Sequence, residues 1–348
     1  MKVQVLGAGT IGSAIARKLC KMHFDVVVTD ILPLNDSKVM ALPGPVKYIK
    51  EAHSDMVILA PDVNVVVNAG PYTINYGAIL AAALGKVTYF DLSEDRESLD
   101  HCRDEAKANK DWTVMPACGL APGFVSVLAK HMVDNLKEPH AVQIRVGALP
   151  PVPDNALHHR PTWSVEGLVN QYLTPGEVLW AGKIQKIDSL RNAVPDFVAG
   201  EEVEAFNTSG GIGTLHETLQ GTSVQFVEYK TLRWKGHMQV MKLLIQDLGM
   251  TREELIRVLK RVKPSVNDLV LVKVGVTEKS GITMGFRQSY FPWNGESAIQ
   301  RLTSAGVCAM VELYREGHLP KGFVRQEDIG LADFVATESG KEFGKVGI

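Results

Sequence analysis

The chain has 348 residues, 45% of them hydrophobic and 22% charged, with a formal net charge of −2. That length exceeds what one ordinary hydrophobic core supports, so two domains are expected. The near-neutral balance gives no electrostatic reason for nucleic acid or an anionic membrane as partner, and no apolar run approaches the roughly 20 residues that span a bilayer.

The opening "MKVQVLG" leaves no place for a charged leader and apolar signal segment. Cys20, Cys102, Cys118 and Cys308 stand far apart without C-x-x-C spacing. The expectation is a cytoplasmic protein with reduced thiols, no zinc site and no disulfide framework. "KVQVLG" then reads as a buried parallel strand ending in glycine, and "TIGSAIARKLCKM" as a helix with Ile11, Ala14, Ile15 and Leu19 at helical spacing. "FDVVVTD" is the next strand, "VKYIK" a further one, and "SDMVILA" a short helix opened by Ser54. "NVVVNAGP", "KVTYFDLS" and "DWTVMPA" follow as strands separated by helices over 75–84 and 94–108. Strand and helix alternating in this way predict an α/β fold, a Rossmann doubly wound parallel sheet.

A loop at "GLAPG" and a helix over 123–135 come next, and the pattern changes after them. "AVQIRVGALP" opens a strand-rich stretch with further strands expected at 183–187, 202–206, 223–229 and 269–276, which predicts a second α+β domain with a mixed or antiparallel sheet. "SAIQRLTSAGVCAMVELYREG" reads as a long amphipathic helix that packs back on the first domain. The polar tail "TESGKEFGKVGI" is expected to fray. The expected domains are 1–120 completed by 296–348, and 121–295.

"GAGTIG" puts Gly7, Gly9 and Gly12 at G-x-G-x-x-G positions, after a strand and at the start of a helix. Gly7 permits the tight turn, Gly9 lets backbone approach a pyrophosphate, and Gly12 lets helix and strand pack closely. The helix N-terminus at Thr10 and Ile11 then offers N–H groups and positive dipole to phosphate. Asp30 ends the second strand, where an acid accepts hydrogen bonds from ribose hydroxyls and repels a 2′-phosphate. The cofactor expected is therefore NAD, with NADP as the alternative.

In open α/β sheets, ligands lie beyond the carboxyl ends of the strands. Those ends are "NAGPY" (Asn68, Gly70, Pro71, Tyr72), "FDLSED" (Asp91, Leu92) and "ACGLAPG" (Ala121, Pro122), and all are candidates for the nicotinamide side. Asp91 has two readings, a carboxylate facing ligand or an N-cap for the helix near Glu94, with Ser93 as a competing cap. Cys118 reads as a nucleophile or a small buried thiol, and no histidine close in sequence favours the nucleophile.

Beyond the dinucleotide motif, the chain resembles the saccharopine dehydrogenase-like family. The resemblance is carried by "VVNAGPY", "VTYFDLSED" and "GLAPGFVSVLA", then by "PTWSVEGLVNQYLTPGEVLWAGK", "VEAFNTSGG" and "TLRWKGH", in order over residues 1–315. It implies a Rossmann domain, a second domain that binds substrate and carries oligomerisation (a homodimer or larger homo-oligomer), and a cleft between them. The saccharopine reductase branch typically has G-L-D-P-G where this chain has Ala121. The departure favours the branch that deaminates L-lysine oxidatively at the ε-carbon. Saccharopine or carboxylated-polyamine dehydrogenation is the enzyme alternative, and a nucleotide-binding sensor is the non-enzyme one.

"TLRWKGH" concentrates Arg233, Trp234, Lys235 and His237. Arg233 is suited to a substrate carboxylate through paired N–H···O bonds, or else pairs with an acid of its own domain. His237 is a candidate proton relay, with Asp91 as the other candidate acceptor, or a turn residue beside Gly236. Trp163 is a wall of the substrate site or a core aromatic, Tyr72 lines the nicotinamide pocket or packs on it, and Thr208 with Ser209 are substrate-contact candidates. His158-His159 has no acid or second histidine at helical metal spacing, so no zinc is expected there. His216 and Glu217 follow the Gly210–Gly213 turn, which lacks the context of a second nucleotide site.

Overall fold

A computed structural model describes residues 1–32, 46–50, 57–198, 201–265, 267–344 and 346; Ser54, expected to open a helix, lies outside them. The chain divides into two compact units, residues 1–127 with 300–348, and residues 128–299.

The first unit is a seven-stranded parallel sheet whose strands lie in the order Gly322–Phe323, Thr113–Met115, Thr88–Asp91, Val65–Asn68, Lys2–Leu6, Asp25–Asp30 and Lys47–Lys50. β1 (Lys2–Leu6) pairs with β2 (Asp25–Asp30) on one side and β4 (Val65–Asn68) on the other. β3 (Lys47–Lys50) extends the β2 side, and β5 (Thr88–Asp91) and β6 (Thr113–Met115) extend the β4 side. The strand order therefore reverses between β1 and β4, the switch point at which open α/β sheets bind ligands. Val3, Val5, Val65, Val66 and Val67 are shut from solvent, as both faces of a helix-covered parallel sheet require.

Helices Thr10–Lys21, Asn75–Gly85 and Arg96–Ala108 make the crossovers. The last is capped by Asp95, whose carboxylate accepts the Ser98 N–H at 2.8 Å, so neither Asp91 nor Ser93 is the N-cap. The stretch Val57–Ala60, expected as part of a helix, has no regular structure. Buried Gln4 holds it instead, accepting the Ala60 N–H at 2.8 Å and donating to the Ile58 carbonyl at 2.9 Å. Those local bonds replace the helical ladder.

The second unit is an eight-stranded mixed sheet with β7 (Pro139–Leu149) inside it. The hairpin of β8 (Gly176–Trp180) and β9 (Lys183–Ile187) turns on Ala181 and Gly182, both at positive φ, as a two-residue type I′ turn requires. β10 (Val194–Val198), β11 (Glu201–Phe206) and β12 (Phe226–Trp234) run antiparallel in succession, and β12 then lies parallel to β7. β13 (Leu269–Glu278) and β14 (Thr283–Tyr290) complete the sheet as an antiparallel hairpin beside β7. β12 starts at Phe226 rather than residue 223 and runs on to Trp234, so "TLRW" is strand. Helix Val165–Leu173 closes a second core with helix Arg252–Leu259 through Leu168, Val169, Tyr172, Leu255 and Leu259.

The chain returns to the first unit in helix Ala298–Arg315 and β15 (Gly322–Phe323), which adds parallel to β6. The tail does not fray through residue 344. Phe343 is buried and stacks on Phe124 with ring centroids 4.0 Å apart, and Glu342 bridges Lys18 and Arg301. One aromatic anchor outweighs the polar composition around it.

Candidate functional site

In the first unit, the glycine-rich turn has the geometry its sequence predicts. Gly7 sits at φ +93°, and a Cβ on Gly12 would lie 1.9 Å from the Gly7 carbonyl oxygen, so the helix rests on the strand end with no room for a side chain. Gly9 has nothing within 4 Å of its Cβ position, and no side chain caps the helix that starts at Thr10. Its N–H groups and positive dipole are therefore open to an anion. Thr10 is exposed and Ile11 half-buried at the same terminus. Asp30 ends β2 with one carboxylate oxygen on the Ala8 N–H (2.5 Å) and the other on the Leu32 N–H (2.9 Å). This ties the acid to the turn, at the strand end where the ribose of a dinucleotide would lie, so the residues fit an adenine dinucleotide.

The ends of β4 and β5 carry a buried polar chain. Asn68 and Asp91 are register partners at the tips of adjacent strands. The Asn68 amide donates to Tyr89 Oη at 3.1 Å, and Tyr89 Oη donates to Asp91 at 3.1 Å. Asp91, 1% exposed, also accepts the N–H groups of Ser93 (3.0 Å) and Ala117 (2.7 Å). Burial outweighs these bonds and raises its pKa to about 6. Asn68 further donates to Asn75 and accepts from Gly70 N–H, so Gly70 and Pro71 are held at the strand tip. Tyr72 lies exposed at the start of the one-turn helix that follows.

The "GLAPG" loop is packed by its own unit. Gly123, at φ +131°, would place a Cβ 2.0 Å from Gly119 O, and a Cβ on Gly306 of the return helix would lie 2.3 Å from that same oxygen. Here the glycines permit backbone to touch backbone. Leu92 packs over Gly119, Ala121 is half-buried, and Pro122 is buried, joined to Ala121 by a cis peptide. Cys118 is a buried thiol whose pKa is raised by burial, then by Asp91.

In the second unit, Arg233 lies on β12 and is 3% exposed. Among the described residues it makes no ion pair, which removes the reading of a structural salt bridge. Its register partner Glu204 accepts the Met238 N–H at 2.6 Å instead. Arg233 donates to Tyr172 Oη at 3.0 Å and to the Leu232 carbonyl at 2.9 Å. Tyr172 Oη lies 2.8 Å from His237 Nε2, and His237 Nδ1 lies 2.8 Å from the Leu157 carbonyl. A carbonyl only accepts, so Nδ1 carries the proton, Nε2 accepts, and the tyrosine hydroxyl must donate to it. The order Arg233→Tyr172→His237→Leu157 is thereby fixed. Burial and the Arg233 charge lower the His237 pKa to about 3, and both its nitrogens are occupied.

His159 completes this cluster: it is 1% exposed, with its ring centroid 5.1 Å from that of His237. Among the described residues neither ring nitrogen has a partner, and burial with the Arg233 charge pushes its pKa well down. Sequence reasoning weighed His159 only as a zinc ligand and missed Tyr172, which sits on the apolar face of its helix and reads as core. Trp163 packs on Gly167, and Thr208 pairs with Thr231 at 2.7 Å. Elsewhere in the unit, Glu177, His216 and Glu217 each bring a potential ligand atom within 4.8 Å of the others.

The first unit thus presents a glycine-rich turn and helix N-terminus that fit a dinucleotide phosphate, and the second a buried guanidinium with no ion pair among the described residues. Residues 119–337 match the saccharopine dehydrogenase C-terminal domain, and the chain belongs to that family. It is 24% identical over 279 residues to the mitochondrial alpha-aminoadipic semialdehyde synthase of Mus musculus, and spans 73% of this chain but 29% of that much longer protein. The fold matches apo saccharopine dehydrogenase (L-Glu forming) from Saccharomyces cerevisiae, with TM-score 0.70 and 18% identity over 96% of this chain and 95% of that one. DAP dehydrogenase of C. glutamicum in complex with DAP matches at TM-score 0.51 and 12% identity over 99% of both chains. Among the described residues no helix is long and apolar enough to cross a membrane.

Proposed function

We propose that the protein catalyses NAD-dependent oxidative deamination of L-lysine at the ε-carbon. The observation that carries this reading is Arg233, a buried cation that makes no ion pair among the described residues, its neighbour Glu204 being turned to the Met238 N–H. Such a charge is costly unless an anion completes it, and a substrate carboxylate does so with two parallel hydrogen bonds. Gly7, Gly9, Thr10, Ile11, Gly12 and Asp30 hold the dinucleotide, with Asn68, Gly70, Pro71, Leu92, Ala121 and Pro122 at its nicotinamide end. Asp30 favours NAD over NADP. Bound there, the nicotinamide would supply the hydride acceptor for the ε-carbon; the resulting imine would be hydrolysed to ammonia and the semialdehyde, which would cyclise with its own α-amine to piperideine-6-carboxylate.

Arg233 fixes the carboxylate end, and Tyr172 with His237 holds the guanidinium in one orientation. Asp91 takes the ammonium proton that must leave before oxidation, since a carboxylate of pKa about 6 is ionised yet basic at neutral pH. His237 has no free nitrogen and acts as an orienting group. Tyr72 of the first unit, and Thr208 and Trp163 of the second, are the proposed substrate contacts. The protein works as a homo-oligomer in the cytoplasm.

Saccharopine-type dehydrogenation is the second reading, favoured by the family match over residues 119–337 and by the name of the matched yeast protein. The purified chain is assayed by absorbance of the reduced cofactor with L-lysine or saccharopine, each with NAD and with NADP. Ammonia release and NAD reduction on L-lysine alone are expected. Turnover of saccharopine without turnover of lysine replaces the first reading with the second, and no turnover of either sinks both.

A further inference from the structure

We propose that His159 is the specificity residue for an α-amino group: it accepts a hydrogen bond from the α-ammonium of the ligand whose carboxylate lies on Arg233. This rests on the reading of Arg233 as the carboxylate holder and deepens it. The placement is read from the rings: His159 stands beside His237, His237 is bonded to Tyr172, and Tyr172 is bonded to Arg233.

Three observations lead there. His159 is 1% exposed with neither ring nitrogen partnered, whereas buried polar atoms are nearly always hydrogen-bonded. The Thr162 hydroxyl and the Asn155 side-chain oxygen, in the same loop, are buried without an acceptor or donor partner as well. The loop is therefore built against polar groups that the described residues do not supply. Second, the neighbouring Arg233 charge and burial both oppose protonation of His159, so the ring is neutral at neutral pH and keeps one lone-pair nitrogen. Third, no carboxylate of the described residues pairs with Arg233. A zwitterionic amino-acid head brings an anion for the guanidinium and a cationic donor for the neutral imidazole in one group. A plain carboxylic acid brings only the first. Because His159 is shut from solvent, the loop carrying it must move to admit the ligand.

The test is calorimetric binding to the full chain of L-norleucine, which is lysine without its ε-amine, and of hexanoate, which also lacks the α-amine. Norleucine is expected to bind roughly 10- to 100-fold tighter than hexanoate, as a hydrogen bond to a charged group implies. His159→Phe should remove that preference while leaving the hexanoate affinity within about twofold, and His159→Gln, which keeps an acceptor oxygen, should restore part of it. Equal affinity of the wild-type protein for the two ligands, no binding of either, or equal weakening of both by His159→Phe overturns the proposal. The wild-type comparison needs no variant to fold. Lysine turnover is measured separately: its absence alongside a kept norleucine preference rejects the lysine reaction and leaves the amino-group assignment standing.

Discussion

Each unit buries a tyrosine that passes a hydrogen bond along, and the two relays end differently. In the first unit Asn68 donates to Tyr89 and Tyr89 to Asp91, and every other oxygen and nitrogen of these side chains has a partner in Gly70, Asn75, Ser93 or Ala117. In the second unit Arg233 donates to Tyr172 and Tyr172 to His237, but the guanidinium has no anion and His159 beside it has no partner at all. A satisfied network in a low-dielectric interior fixes local geometry; an unsatisfied one is costly unless a ligand completes it. On the proposed reading, the first relay is structural with one basic group and the second recognises the ligand.

The largest expected effect breaks the second relay at its unpaired charge. Arg233→Met should lower kcat/KM for L-lysine by roughly 30- to 3,000-fold, the range for losing a buried charge-paired contact, with KM carrying most of it. Thermal stability should hold or rise, because an uncompensated buried cation is replaced by an apolar chain of similar length. A marked fall in Tm with unchanged KM would make Arg233 a structural residue.

A smaller effect comes from cutting both relays at the same atom. Tyr172→Phe and Tyr89→Phe each delete one hydroxyl and should each cost about 1–3 kcal/mol of stability, since a donor and an acceptor lose their partner. Only Tyr172→Phe should raise KM, by freeing the guanidinium. Tyr89→Phe should instead move the acidic limb of the kcat profile to higher pH, since the hydroxyl bond favours the Asp91 carboxylate. If both variants change KM alike, the functional division between the relays fails.

Much of this was legible in the sequence, and the reasons it stopped are physical. The glycine triplet and Asp30 mark their roles because turn, close approach and ribose contact each demand a residue type at a fixed spacing. Asp91 was legible as a strand-end acid, but its three donors come from Tyr89, Ser93 and Ala117, which only the sheet brings together. Tyr172 and His159 were not legible. Tyr172 shares the apolar face of its helix with Leu168 and Val169, and His159 lies in an irregular loop where no period exists. Phe343 anchors a polar tail by one ring, a contact that composition averages away.

The smallest expected effect separates the relays by the sign of their response to acid. Asp91 has a folded-state pKa of about 6, above the unfolded value near 3.9, so its contribution is full below pH 4 and is lost as pH rises towards 6. His237 has a folded pKa of about 3, below the unfolded value near 6.5, so its contribution is present above pH 6.5 and is lost as pH falls towards 3. His159 acts in the same direction. Between pH 6.5 and 4 the first unit therefore gains from its acid while the second loses from its histidines, and hydrogen exchange resolved by unit should show opposite slopes. Asp91→Asn should flatten the slope of the first unit alone. His159→Phe should flatten part of that of the second, leaving the share due to His237. Parallel slopes in both units would mean that other titrating groups set the acid response. The two buried clusters would then differ in their hydrogen bonds but not in the protons they hold.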